Sequence, residues 1–73
     1  MRKTIFSPKH KLIIERLRRA RADAGLRQID VAKRLRTPQS YISRCESGEH
    51  RLDVVELEAF SKIYGKPLRF FIS

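Results

Sequence analysis

The sequence has one cysteine, few acidic residues and no long apolar run. Cys45 has no second cysteine to pair with, so an intrachain disulfide is excluded and nothing indicates an oxidising compartment. No segment approaches the roughly 20 apolar residues of a membrane-spanning helix, and the first eight residues lack the apolar run of a signal peptide. We therefore expect a cytoplasmic protein with no membrane partner.

The shortage of acidic residues leaves the chain strongly basic. Seventeen Lys and Arg oppose eight Asp and Glu, which gives a net charge of +9. The excess lies in residues 1–44, with thirteen basic and three acidic residues, whereas residues 45–73 hold four and five. Such a concentration of positive charge suits nucleic acid or an anionic membrane surface, and solubility alone requires no segregation of charge.

The chain has the length of one small domain, and its patterns are helical. Residues 1–7 are predicted to form a flexible arm and residues 8–73 the domain, whose 41% apolar content is enough for a packed core. No strand pattern, repeat or low-complexity linker is present. The sequence therefore predicts an all-α bundle of five short helices.

Start and stop residues place the first two helices. Ser7 is a predicted N-cap before Pro8 at the first helical position, and Gly25 is a predicted left-handed stop. Apolar residues recur between them with helical spacing, at Ile13, Leu17, Ala20 and Ala24. The second helix is predicted at residues 28–35, on an apolar face that is too short to be stable without packing.

The remaining three helices follow the same logic. Thr37 is predicted to cap a third helix over residues 38–47, with Pro38 at its first position. Asp53 is predicted to open a fourth helix with the apolar residues Val54, Leu57, Phe60, Ile63 and Tyr64. A short apolar fifth helix is predicted over residues 67–72.

The second and third predicted helices are short and are joined by a tight turn, and the third is polar on its outer face. In helix-turn-helix proteins this arrangement inserts the second helix of the pair into the DNA major groove. Several residues within 17–72 also occur in a characteristic order and spacing. They are Arg21, Gly25, Leu26, Gln28, Val31, Ala32, Leu35, Ile42, Ser43, Glu46 and Gly48. In these positions the chain resembles the phage repressor and Cro-type helix-turn-helix family, also called the XRE family. The resemblance implies a lambda-repressor-like DNA-binding bundle.

The resemblance implies that the third helix contacts bases through Gln39, Ser40 and Arg44, with Ser43 at the edge of reach. The chemistry agrees, because glutamine can bond adenine N6 and N7 together, and arginine can bond guanine O6 and N7. A simpler reading is that Gln39 and Ser40 only complete the start of the helix.

Phosphate contacts are predicted around the same two helices. Gln28 opens the second helix, where a backbone N–H and a side-chain amide can both meet a phosphate oxygen, and the family uses the matching position in this way. Four further side chains could hold the DNA backbone from the turn and from beyond the third helix: Thr37, Tyr41, Ser47 and Arg51. Tyr41 is equally compatible with a partly buried core position.

The resemblance also implies a partly buried ion pair between Arg21 and Glu46, which fixes the orientation of two helices. The sequence departs from the family at three positions. Arg36 replaces a frequent left-handed glycine, Pro38 replaces a Ser or Thr, and Cys45 replaces a larger apolar residue, where we expect a buried and unreactive thiol.

The apolar C-terminal residues have two readings, as a cover for the core or as a dimer surface: Leu68, Phe70, Phe71 and Ile72. We expect some of them to be exposed in a monomer, so a homodimer on palindromic DNA is predicted. The alternative is an antitoxin or adaptor module whose main contact is a toxin or another protein, with DNA binding secondary.

Metal binding and catalysis are not indicated. No spacing among Cys45, His10 and His50 resembles a zinc site, and no nucleophile elbow, glycine-rich phosphate loop or paired carboxylates appear. We therefore expect no cofactor and no enzymatic activity. The sequence predicts a sequence-specific duplex-DNA-binding transcriptional regulator of repressor type.

Overall fold

The computed structural model describes residues 7–73 and is helical without strands over that range. Its elements are α1 (Pro8–Asp23), α2 (Gln28–Leu35), α3 (Gln39–Ser47), α4 (Val54–Tyr64) and α5 (Leu68–Ile72). The predicted all-α bundle of five helices is confirmed. The predicted arm lies outside the described residues except for Ser7, which belongs to α1 as its N-cap.

The predicted helix starts at Ser7 and Asp53 are confirmed. The Ser7 hydroxyl accepts a hydrogen bond of 3.2 Å from the backbone N–H of His10. At α4, Asp53 Oδ1 accepts from the backbone N–H of Glu56 at 2.8 Å, and Glu56 Oε1 accepts from the Asp53 N–H at 2.9 Å. This reciprocal pair is a capping box, which satisfies two N–H groups that the helix itself leaves without partners.

The predicted start of the third helix is wrong by one residue. Thr37 does not cap α3, because the residue after it is still extended and the helix begins one residue later; the Thr37 N–H donates to the Ala32 carbonyl at the end of α2, at 2.9 Å. Pro38 has extended backbone angles and is itself the N-cap of α3, so the helix begins at Gln39. The Thr37 hydroxyl is one residue too distant to cap; it is buried and has no hydrogen-bond partner within residues 7–73.

All five helices contribute side chains to one core. Its members are Leu17, Ala20, Val31, Ala32, Ile42, Cys45, Leu57, Phe60, Tyr64 and Phe71. Of the other residues predicted on apolar helix faces, Ile13 and Ile63 are partly buried against this core, and two are exposed. Ala24 is exposed just beyond α1, and Val54 is 69% exposed because it occupies the first turn of α4, before the helix reaches the core.

α5 covers the core through one aromatic residue and is held to α1 by a second. Phe71 is fully buried, whereas Phe70 is half-buried and packs between two cations. The Arg16 guanidinium lies 5.2 Å from the Phe70 ring centroid, and Lys66 Nζ lies 4.7 Å from it. Arg16 Nη1 also donates to the Phe70 carbonyl, so α1 satisfies a backbone acceptor of this five-residue helix.

Arg36 ends α2 in the left-handed conformation, with φ 58° and ψ 47°. The chain therefore makes the left-handed turn after α2 without a glycine. A Cβ in this region is sterically unfavourable, so Arg36→Gly is expected to stabilise the protein by about 1 kcal/mol. Urea unfolding followed by circular dichroism measures the change.

Arg34→Gly is the matched control, because Arg34 is also an exposed arginine but lies within α2. Glycine there should destabilise by about 1 kcal/mol. The two substitutions remove the same charge, so opposite signs identify backbone conformation as the cause. A loss of stability at both positions would contradict the prediction.

Candidate nucleic-acid interface

α3 divides into a buried face and an exposed polar face. Ile42, Cys45 and Glu46 point inward and are buried. The exposed residues, which we call the α3 outer face, are Gln39, Ser40, Ser43, Arg44 and Ser47. The four base-contacting residues predicted from the sequence are thus brought together on one surface, with donors and acceptors that can meet base edges.

Gln28 and Gln39 join the starts of α2 and α3. Gln39 Nε2 donates to Gln28 Oε1 at 3.3 Å, and Gln28 Nε2 donates to Glu46 Oε1 at 3.1 Å. A side chain at the first position of α2 therefore links both ends of α3. The predicted phosphate contact and the first predicted base contact are neighbours in space.

Glu46 lies at the centre of this network and is 5% exposed. Arg21 holds it with two parallel hydrogen bonds, from Nε to Oε2 at 2.7 Å and from Nη2 to Oε1 at 3.0 Å. Arg21 Nη1 donates in addition to the Leu26 carbonyl at 3.1 Å. The hydrogen bond to Glu46 raises the pKa of Arg21 above its ordinary value, so the guanidinium remains charged.

Arg18 is a contact that sequence reasoning missed. Its Nε and Nη2 donate to the Glu46 backbone carbonyl at 3.2 and 2.9 Å, so α1 also holds the end of α3 through the main chain. The signal in the sequence is its position one turn before Arg21. A shallow depression of about 190 Å³ beside it is lined by Lys11, Ile14, Glu15, Arg18 and Ser47.

The other predicted phosphate contacts occupy different environments. Ser47 and Arg51 are exposed, and the Ser47 hydroxyl donates to the Arg44 carbonyl at 3.2 Å. The Thr37 hydroxyl is buried, so in this conformation it does not face a ligand. The Tyr41 hydroxyl donates to Glu56 Oε2 at 2.8 Å and is therefore already engaged inside the protein.

Tyr41, His50 and Glu56 form a second polar group, which we call the loop cluster. His50 Nε2 lies 2.8 Å from the same Glu56 Oε2, and the Tyr41 and His50 rings meet edge to face with centroids 5.2 Å apart. Burial, followed by the hydrogen bond to Glu56, raises the pKa of Tyr41 well above its ordinary value. The cluster connects α3, α4 and the loop between them.

Cys45 lies beneath the α3 outer face and is 1% exposed. Burial raises the pKa of its thiol to about 11. The side chain is therefore a neutral thiol at neutral pH and packs as a small apolar group. The prediction of a buried thiol is confirmed.

The four C-terminal residues predicted as dimer surface or core have different environments. Phe71 belongs to the core and Phe70 packs against it. Leu68 is 36% exposed and Ile72 is 59% exposed. The apolar tail therefore both covers the core and presents apolar surface.

Neither a metal-binding cluster nor a membrane-spanning helix occurs within residues 7–73. Residues 7–73 hold no group of three or more His, Cys, Asp or Glu side chains that could bind a metal ion. Over the same range, every helix is too short or too polar to cross a membrane.

The helices that form this interface match a known protein family. A family model described as a helix-turn-helix domain matches residues 15–68, which is about three quarters of the chain. The match begins within α1 and ends at the first residue of α5, so it includes α2, the turn and α3. No curated protein matches the chain.

Proposed function

We propose a function from the premise that this chain belongs to the helix-turn-helix domain family. The chain binds duplex DNA sequence-specifically, places α3 in the major groove and represses transcription. The resemblance at the positions from Arg21 to Gly48 supports the phage repressor and Cro type, as in phage, toxin-antitoxin or restriction-modification regulators. The protein carries out no chemistry of its own.

The observation that carries this proposal is the α3 outer face, held in place by interactions on its other side. Ile42 and Cys45 anchor α3 in the core, and Arg21 and Glu46 tie its end to α1. Polar side chains can then remain exposed without weakening the fold. A rigid helix with an exposed polar face suits base readout, because its side chains reach the groove with fixed spacing.

We assign direct base contacts to Gln39 and Arg44, with Ser40 and Ser43 between them. Gln39 suits adenine and Arg44 suits guanine, each through paired hydrogen bonds. All four side chains are exposed, which such contacts require.

We assign phosphate contacts to Gln28, Ser47 and Arg51. Gln28 retains its backbone N–H at the start of α2, where the helix dipole favours an anion. Thr37 and Tyr41 are proposed as further phosphate contacts; in the free protein the Thr37 hydroxyl is buried and the Tyr41 hydroxyl donates to Glu56, so both must reorient on binding. The positive charge of residues 1–44 adds a sequence-independent attraction to DNA.

A homodimer is part of the proposal, because a twofold protein on a palindrome doubles its contacts. The exposed apolar area of Leu68 and Ile72 supports it. Sedimentation should detect a dimer at tens of micromolar protein or two bound copies on DNA. A monomer under both conditions would remove this part of the proposal and leave DNA binding untouched.

Apolar exposure at the start of α4 favours a second candidate function. Val54 and Val55 are 69% and 68% exposed and adjacent, which is a larger apolar surface than a DNA contact needs. In this candidate the chain is an antitoxin or adaptor module whose main contact is a toxin or another protein.

Selection from a random pool of duplex DNA at about 150 mM salt tests the two candidates. An enriched inverted repeat is the expected result and identifies the operator. Binding that gives no enrichment and disappears as salt rises would show only nonspecific electrostatic attraction to DNA. The antitoxin or adaptor function would then replace the repressor function.

Arg44→Ala is expected to weaken binding to the selected operator by about 1–3 kcal/mol and to relax the preference at one base position. Gln28→Ala removes the side-chain amide and, with it, one proposed phosphate contact, which should weaken binding to all duplexes because phosphates carry no sequence information. Loss of the hydrogen bond that orients Gln39 should add a smaller decrease on the operator alone. Fluorescence anisotropy on operator and scrambled duplexes measures both effects.

Arg19→Ala is the matched control for Arg44→Ala. Arg19 is exposed on α1, and its loss removes the same charge away from the α3 outer face. It should produce a small, sequence-independent decrease. Equal losses for Arg44→Ala on both duplexes would contradict the assignment of a base contact.

A further inference from the structure

The loop cluster holds residues 48–53, the segment that connects α3 to α4. Glu56 Oε2 is shared by the Tyr41 hydroxyl from α3 and by His50 Nε2 from the loop, each at 2.8 Å. The backbone N–H of His50 donates to the Arg44 carbonyl at 3.2 Å, which ties the same residue to the last turn of α3. His50 therefore contacts both helices that the loop joins.

From this geometry we infer that His50 is a positioning residue whose protonation tightens the binding of duplex DNA. The inference rests on the proposed function. Neutral His50 can give the Glu56 carboxylate a hydrogen bond, whereas charged His50 forms an ion pair with it and adds the Coulomb attraction of two opposite charges. Imidazole is the side chain whose ordinary charge change falls between pH 5 and 8.

The link to DNA is that one proposed phosphate contact directly precedes the loop and another lies within it. Ser47 ends α3, and Arg51 directly follows His50 and is exposed. A loop fixed before binding has less conformational freedom to lose when these side chains meet phosphates. Protonation thus acts on affinity through the loop rather than through a contact of His50 with DNA.

The other charged groups on the elements around His50 belong to α3, the loop and α4. They are Arg44 of α3, Glu49, Arg51 and Asp53 of the loop, and Glu56 of α4. Burial acts to raise the pKa of Glu56, but hydrogen bonds from the Asp53 N–H, Tyr41 and His50 outweigh it and hold that pKa below its ordinary value. Glu56 is therefore ionised from pH 6 to 8, while Tyr41 remains neutral.

The experiment compares affinity for the selected operator at about pH 6 and about pH 8 at constant ionic strength. Wild type should bind about fivefold more tightly at the lower pH. His50→Arg keeps a positive charge at both pH values and should bind tightly at both, whereas His50→Gln should bind weakly at both. His10→Gln, which removes the other histidine, should keep the wild-type response. Equal wild-type affinity at the two pH values would overturn the inference.

Glu56→Gln separates positioning from direct attraction of His50 to DNA. Glutamine preserves the capping box with Asp53 but removes the carboxylate charge. Loss of the pH response in this variant supports the positioning role. A response that persists means that the imidazolium acts on DNA by itself, which overturns the role of the loop cluster. Thermal unfolding of each variant checks that it is folded.

A DNA-free measurement distinguishes failure of this inference from failure of the proposed function. Hydrogen exchange should show higher protection factors for the amides of residues 49–52 in wild type at pH 6 than at pH 8, and no change in His50→Gln. A chain that binds no duplex at any pH but shows this difference contradicts the proposed function alone. Unchanged protection factors in wild type overturn the control of the loop by His50.

Discussion

Replacing Glu46 with alanine is expected to destabilise the protein by about 3 kcal/mol. The substitution removes the carboxylate that accepts hydrogen bonds from Arg21 at 2.7 and 3.0 Å and from Gln28 at 3.1 Å. Arg21 is then left as a largely buried charge whose remaining bond is to the Leu26 carbonyl. Breaking a buried pair on one side is costly for this reason, even where the intact pair adds little net stability.

The measurement is urea unfolding of wild type and Glu46→Ala at pH 7. A domain of this size has few kcal/mol to lose, so the variant should be partly unfolded without denaturant. Asp23→Asn is the control, because Asp23 pairs with Lys66 at 3.1 Å but its side chain is 48% exposed. Its loss should cost less than about 1 kcal/mol. Equal effects would mean that burial adds nothing to the Arg21–Glu46 pair.

Phe71→Ala should also be severe, with an expected loss of about 3–5 kcal/mol. Phe71 is fully buried, and α5 has only five residues, too few to be stable without packing. Removal of the ring leaves a cavity against α1 and α4 and detaches α5 from the core. Phe70 would remain on the surface between Arg16 and Lys66, which cannot replace a buried contact.

Ile72→Ala is the adjacent control. Ile72 is 59% exposed, and its truncation should change the stability of a monomer by no more than about 0.5 kcal/mol. Urea unfolding at two protein concentrations measures both variants. A large, concentration-dependent loss for Ile72→Ala would show that a second copy covers the residue, whereas a small loss for Phe71→Ala would contradict its core role.

Much of the fold was predictable because helix ends are coded locally. Ser7 and Asp53 bond N–H groups three residues away, and Gly25 adopts the left-handed conformation expected of a stop. Thr37 failed as a cap for a physical reason. Pro38 is still extended, so α3 begins one residue later than predicted and the Thr37 hydroxyl lies too far from the N–H groups of its first turn.

The candidate site was less predictable where a contact depends on how distant helices align. The exposure of the α3 outer face follows from helical periodicity alone. The bond from Tyr41 to Glu56, however, joins side chains of α3 and α4 that lie 15 positions apart, and no spacing along the chain encodes it. Arg18 lies one turn before Arg21, but its partner is a backbone carbonyl 28 residues away, and the sequence does not show that the two approach each other.

The hydrogen bond from Gln39 to Gln28 divides the α3 outer face into two classes of position. Gln39 is oriented by folding, so its rotamer is selected before DNA arrives. Ser40, Ser43 and Arg44 have no such side-chain partner within the described residues. Under the proposed function, substitution at these three positions is expected to change the preferred operator while the scaffold stays unchanged. A change at Gln39 also alters the support of Gln28, so new specificities should arise first at residues 40, 43 and 44.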